Sequence, residues 1–322
     1  MSLIKGLHHI TAVAADPQCN LDFYAGVLGL RLVKKTVNQD DPFTYHLYYG
    51  DALGRPGTAM TFFPFPGVPA GQPGRGQPLE TRFAVPAESL PEWRARLTQA
   101  GVQVRSGSIK EGTPSLHFTD PDGLPLALVG QGTTEGVPAD ADADIWQAPG
   151  LPAGMAIQRF AGMTLSSYRP DATAQVLTEL LSYAEGAADT DGRWFRAPGE
   201  GTGDQLYLFN EAAPGQPGYG TVHHIAFRVA DRSALLEMLE RVQAIRLPSS
   251  GEVDRFYFKS VYFREPGGML FEIATDDPGF AVDEPAESLG EALKLTDAHE
   301  PMRAAIEARL PVLQMFARPA NL

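Results

Sequence analysis

Two histidine pairs and one misplaced carboxylate are the residues of this chain best able to do chemistry. His8-His9-Ile10 stands near the start, and His223-His224-Ile225 repeats the string in the last third. Glu272 interrupts the apolar run Met269-Leu270-Phe271-Glu272-Ile273-Ala274, where an unpaired carboxylate would be costly to bury. Two neutral imidazoles and one carboxylate form a facial triad that holds a divalent metal and leaves other positions open. Non-haem Fe(II) oxygenases use that set. The competing reading pairs Glu272 with an arginine and makes the histidines ordinary buried polar groups. For one histidine alone that reading would prevail; two strings at matched places, with a carboxylate where a third ligand is needed, favour the metal. Side chains alternate along a strand, so one member of each pair is expected to face a given cleft. Periodicity does not choose which.

The elements that must position these residues recur as four copies of one unit. In the clearest copy, His223 to Val229 reads as a strand and 231–243 as a helix with Asp231 as N-cap and Leu235, Leu236, Leu239 and Val242 on one face. Strand material at Phe256–Phe263, a Glu265-Pro266-Gly267-Gly268 turn and a last strand, Met269–Ala274, complete it. The opening segment repeats the plan over about 6–63. Two more worn copies span about 79–130 and 156–210. Counting along the copies places Arg82 and Thr164 near the histidine positions, and Thr61, Ala127 and Tyr207 at the Glu272 position. Only the fourth copy keeps a carboxylate there. One such unit cannot cover its own sheet face, so copies must pair, and a cleft remains between paired sheets.

The expected fold is therefore α+β: four tandem βαβββ modules in two paired half-barrel sheets. The division is an N-terminal domain at 1–135, a Pro/Gly/Ala-rich linker at 136–155, a second domain at 156–280, and a helical appendage at 281–322 with helical patterns at 286–296 and 299–315. Bulk properties fit an enzyme or binding protein for small molecules. A net charge of −13 argues against a nucleic-acid or anionic-lipid surface. No apolar run reaches the ~20 residues of a membrane span, and no signal peptide opens the chain. A single cysteine, Cys19, points to the reducing cytoplasm and is expected to be inert packing.

The strings Leu7-His8-His9-Ile10-Thr11, His46-Leu47-Tyr48-Tyr49-Gly50-Asp51, Val222-His223-His224-Ile225-Ala226 and Asp254-Arg255-Phe256-Tyr257-Phe258-Lys259-Ser260-Val261-Tyr262-Phe263 resemble the hydroquinone ring-cleaving dioxygenases. That group lies in the vicinal-oxygen-chelate (glyoxalase/bleomycin resistance/dioxygenase) superfamily, and the likeness covers nearly the whole chain. It implies that His9, His224 and Glu272 are the metal ligands and that modules one and four share the metal cleft. It also implies an outer shell of His8, Thr11, His223, Arg255 and Tyr262. A histidine there can take a phenolic proton or orient a ligand imidazole, and arginine or tyrosine can stabilise an oxyanion. Fe(II) is the expected metal, with Mn(II) or another divalent ion next. An aromatic diol of hydroquinone or catechol type and O2 are the expected substrates, and a homodimer or larger assembly the expected state. Two alternatives stand beside this. One is a glyoxalase-like lyase or thiol transferase, against which Thr61 counts because glyoxalase chemistry recruits a second carboxylate. The other is a small-molecule-binding protein of the same fold. Of the remaining candidates, His117 and His299 read as structural. His46 reads as either cleft or core, and Met60, Phe62, Phe63 and Phe65 as core and pocket wall.

Overall fold

A computed structural model describes residues 2–132, 145–152, 154–198, 204–210 and 213–315. Half of the linker expected at 136–155 lies outside the described residues, as do 316–322. Module one comprises β1 (Ile4–Ala14), α1 (Pro17–Leu21), a π-helical turn (Asp22–Val27), β2 (Arg31–Asn38), β3 (Asp41–Gly50) and β4 (Ala59–Pro64). Module two has β5 (Gln77–Pro86), α2 (Leu90–Gln99), β6 (Arg105–Ser108), β7 (Pro114–Thr119) and β8 (Pro125–Gln131). Module three has β9 (Arg159–Ser166), α3 (Pro170–Gln175), β10 (Ala184–Ala188), β11 (Gly192–Arg196) and β12 (Gln205–Phe209). Module four has β13 (Thr221–Val229), α4 (Arg232–Ala244), β14 (Ser249–Asp254), β15 (Lys259–Arg264) and β16 (Leu270–Thr275).

Local chemistry explains where the helices start and what they bury. Asp231 caps α4 by accepting from the Ala234 amide at 2.9 Å, and Asp16 caps α1 through the Cys19 amide at 2.8 Å with Pro17 at the first helical position. Leu235, Met238 and Val242 form the buried stripe of α4, one turn apart along one face.

The modules pair across the chain, first with fourth and second with third. One eight-stranded sheet runs β14-β15-β16-β13-β1-β4-β3-β2, and the other β10-β11-β12-β9-β5-β8-β7-β6. Each is joined at its centre by the antiparallel first strands of its two modules, β1 with β13 and β5 with β9. The result is α+β, with two half-barrel sheets whose outer strands are hairpins.

Three expectations need correction. The strand read over Phe256–Phe263 is the end of a hairpin: β14 and β15 are separated by a turn in which Phe256 takes φ +70° and the Arg255 amide donates to the Phe258 carbonyl. The helices expected at 286–296 and 299–315 are reduced to short 3-10 turns at Ala286–Ser288 and Glu300–Met302 and one five-residue helix, α5 (Arg303–Glu307). Pro285, Pro301 and Gly290 interrupt the pattern. At Gly290, φ is +80° and a Cβ would lie 2.0 Å from the Leu32 carbonyl oxygen, so the tail runs close along β2 instead of coiling. Lys34, buried on β2, holds that strap through Asp283 and Glu284. The third correction is one of register. Glu272 pairs with Tyr262 and Ala226, as Ala127 pairs with His117 and Arg82, and Tyr207 with Trp194 and Thr164. Arg82 and Thr164 are therefore counterparts of Ala226. The positions level with His224 are Glu80 and Gly162, two residues earlier.

Candidate metal centre

The sheet centre brings the three sequence-distant residues together. His9 on β1 is opposite Ala226 on β13, and Ala226 is opposite Glu272 on β16. Paired residues point to the same face, so His9 and Glu272 converge over a methyl group, and His224 joins them from two positions along β13. His9 Nε2 is 3.1 Å from Glu272 Oε2, His224 Nε2 is 2.9 Å from the same oxygen, and the two Nε2 atoms are 3.4 Å apart. All three residues are buried. They are the one group of three or more histidine, cysteine or acidic residues among those described whose donor atoms meet closely enough to share an ion.

The donors fit a metal better than they fit each other. Cis ligands about 2.1 Å from one ion stand roughly 3 Å apart, which is the spacing observed. Ser260 Oγ donates to Glu272 Oε1, while Oε2, fully buried, receives no hydrogen bond of acceptable geometry although both imidazoles lie beside it. An orphaned carboxylate oxygen facing two imidazole nitrogens asks for a cation. Burial raises the Glu272 carboxyl, and only positive charge beside it, from the imidazoles when protonated or from a bound cation, holds it well below the usual range. Burial keeps His224 low, against the pull of Glu272. An ionised carboxylate beside an imidazole kept neutral is the protonation state a metal needs.

The outer nitrogens of both histidines are also engaged. His9 Nδ1 lies 2.9 Å from His8 Nδ1, and His224 Nδ1 lies 2.8 Å from His223 Nδ1. His8 Nε2 is 2.9 Å from the Thr275 carbonyl oxygen, which can only accept. That end fixes the whole chain: His8 Nε2–H donates to Thr275, His8 Nδ1 accepts from His9 Nδ1–H, and His9 Nε2 is left with a bare lone pair facing Glu272 and His224. Burial first, then the neighbouring His9, pushes the His8 imidazole down to about 3, consistent with this neutral form.

A cavity of about 360 Å³ opens beside His9 and His224. Phe63, Phe65, Tyr257 and Phe258 give it aromatic walls, and Arg255, Tyr262, His46 and Tyr48 bring polar groups to it. Arg255 Nε donates to the Tyr262 hydroxyl oxygen at 3.1 Å, leaving the phenolic proton free to turn toward the cavity. Burial, then the nearby Glu272 charge, raises the Tyr262 phenol, so it stays protonated.

The outer residues expected from the sequence take different places. Arg255, Tyr262 and His223 line the cavity, with His223 exposed at its rim. His8 lies behind His9 against Phe258, outside the lining, and Thr11 is fully buried with its hydroxyl 2.8 Å from that of Thr61. Alternation thus sorts His8 from His9 but not His223 from His224, since the cleft also wraps the edge of His223. His46 belongs to the cleft, and Phe63 and Phe65 are wall while Met60 and Phe62 are core. His117 sits on the other sheet between Glu80 and Ser115, and His299 in the tail meets the Thr296 hydroxyl. Cys19 is exposed, and its thiol is raised by partial burial and the neighbouring Asp16. Sequence reasoning did not single out Tyr48 or Phe258. The signal for Tyr48 was present: it faces Thr61 across the strands as Tyr262 faces Glu272.

The family model for the Glyoxalase/Bleomycin resistance protein/Dioxygenase superfamily matches residues 6–128 and 162–273. A Bacillus subtilis (strain 168) protein named ring-cleaving dioxygenase MhqE is 45% identical over 310 residues, 96% of this chain and 99% of that one. The chlorohydroquinone/hydroquinone 1,2-dioxygenase of Sphingobium indicum is 32% identical over 300 residues, 91% of each chain. A solved dioxygenase structure from Bacillus subtilis superposes with a TM-score of 0.91 at 40% identity, covering 98% of this chain and 99% of that one. Glyoxalase I from Zea mays, at 14% identity and a TM-score of 0.61 over 84% of this chain and 92% of that one, shares the fold. The chain belongs to the Glyoxalase/Bleomycin resistance protein/Dioxygenase superfamily, among its ring-cleaving dioxygenases.

Proposed function

We propose that this chain opens the ring of a hydroquinone- or catechol-type diol with O2, using one Fe(II) held by His9 Nε2, His224 Nε2 and Glu272 Oε2. The observation that carries the reading is the buried Oε2, without a hydrogen bond and beside two imidazole nitrogens. When bound, a redox-active divalent ion lowers the pKa of a coordinated phenol and holds diol and O2 side by side. The protein's own residues do the rest. His8 and the Thr275 carbonyl set the tautomer of His9, and His223 supplies a partner for His224 Nδ1. Phe63, Phe65 and Phe258 exclude water and pack the aromatic ring. The Tyr262 hydroxyl, backed by Arg255, donates to oxygen that gains negative charge. Hydroquinone as the diol is supported by the Sphingobium relative, whose name gives that substrate.

A lyase reading fares worse at one residue: Thr61 holds the place where a second carboxylate would complete a glyoxalase-type set. The test is an oxygen-uptake screen with anaerobically Fe(II)-loaded protein. Stoichiometric O2 consumption with at least one hydroquinone or catechol is expected; silence across the panel from iron-replete protein would defeat the reading.

A further inference from the structure

The internal repeat places a second tyrosine at the metal cavity. In module four Tyr262 is opposite Glu272, and Ser260, two residues before it, holds the Glu272 carboxylate. In module one Tyr48 is opposite Thr61, and His46, two residues before it, lies 3.0 Å through Nε2 from the Thr61 hydroxyl. The two arrangements are copies related by the pairing of the modules, and both tyrosines line the same cavity. In the module-one copy the carboxylate has become Thr61 and the serine has become His46. The place that could have supplied a fourth ligand supplies a neutral hydrogen-bond chain instead.

That chain runs from Tyr48 through His46 and Thr61 to Thr11. The Tyr48 hydroxyl is 2.8 Å from His46 Nδ1, His46 Nε2 is 3.0 Å from Thr61 Oγ, and Thr61 Oγ is 2.8 Å from Thr11 Oγ. Every member can both give and accept, so the chain has two polarities with the same heavy-atom positions and the same number of protons. In one, Tyr48 donates to His46 and its lone pair faces the cavity. In the other, His46 donates to Tyr48 and the phenolic proton faces the cavity. By contrast, Tyr262 has Arg255 as its partner, which can only donate, so its polarity is fixed.

We propose that Tyr48 touches the substrate directly, at the ring oxygen remote from the metal, and that His46 is the residue that positions it. The proposal rests on the aromatic-diol reading above and names a specificity determinant within it. A remote oxygen that still carries its proton is accepted by Tyr48 in the first polarity. The same oxygen after losing its proton receives the Tyr48 hydrogen in the second. A ring with no oxygen there leaves Tyr48 unanswered, so the site selects a diol with two well-separated oxygens over a monophenol.

The experiment is anaerobic calorimetric titration of full-length Fe(II)-loaded protein with hydroquinone and with phenol. Wild-type protein is expected to prefer hydroquinone about tenfold, the weight of one neutral hydrogen bond. Tyr48→Phe keeps the ring packed against Phe280, 4.9 Å between centroids, and is expected to bind hydroquinone and phenol with equal affinity, losing the preference. His46→Leu is expected to lose most of the preference, and His46→Gln, whose amide both gives and accepts, to retain it. Preference surviving in Tyr48→Phe overturns the contact, and preference surviving in His46→Leu overturns the positioning role. Iron-loaded wild type that binds neither ligand overturns this proposal together with the diol reading beneath it.

Discussion

At the scale of single residues, the centre depends on Glu272 staying ionised inside an apolar strand. Its two oxygens divide the work, one held by Ser260 and the other left for a cation. Glu272→Gln keeps the shape and the Ser260 contact but removes the charge. Metal affinity is expected to fall by more than about 100-fold, beyond the ~10–100-fold typical of losing an outer partner. Metal content after dialysis checks this, and full retention by the variant would contradict it. The triad itself was legible, because a carboxylate in Met269–Ala274 and two matched His-His-Ile strings had no equally economical explanation. Which histidine of each pair is the proposed ligand came from the family resemblance. Alternation could not say, since it separates the two members of a pair without telling which face of the strand borders the cleft. Tyr48 and Phe258 escaped notice because an aromatic residue in a strand looks the same whether it packs in a core or lines a cleft.

At the scale of elements, strands and turns were more legible than helices. Asp231 caps α4 as expected, while the tail carried a helical pattern that Pro285, Gly290 and Pro301 overrode. Turn chemistry also leaves a titration signature. Asp120 opens the Asp-Pro-Asp-Gly turn between β7 and β8, where it accepts from the amides of Asp122 and Leu124 and from the Tyr24 hydroxyl. Burial pushes its carboxyl up to about 6 from 3.8. The folded state therefore binds this proton more tightly than the unfolded state. Its contribution to stability is fully present below about pH 4 and is lost as pH rises to about 6. Asp120→Asn mimics the protonated form at every pH. Chemical unfolding at pH 4 and pH 7 should show the variant gaining stability relative to wild type at pH 7. An unchanged difference between the two pH values would refute the assignment.

At the scale of the whole molecule, four copies of one unit give two sheets but, among the described residues, one cluster able to share an ion. Module one meets module four, and the three clustered residues come from both ends of the chain. Which modules pair was implied by the family resemblance, and the repeat was readable from the sequence. The register of the worn copies was not, because Arg82 and Thr164 sit two residues from the true counterparts of the histidines. In the second sheet Glu80 stands level with His224 but pairs with His117 at 2.7 Å, and the buried Arg82 guanidinium donates to Thr164. The Arg82 cation and the hydrogen-bonded pair of Glu80 and His117 thus fill the ground where a second ion would need ligands. The most direct test is a crystal structure of the full chain soaked anaerobically in Fe(II), with anomalous data at the iron edge. One iron peak per chain is expected, within about 2.3 Å of His9 Nε2, His224 Nε2 and Glu272 Oε2. An iron-replete crystal with no peak there, or with its strongest peak on the second sheet, would contradict the central claim.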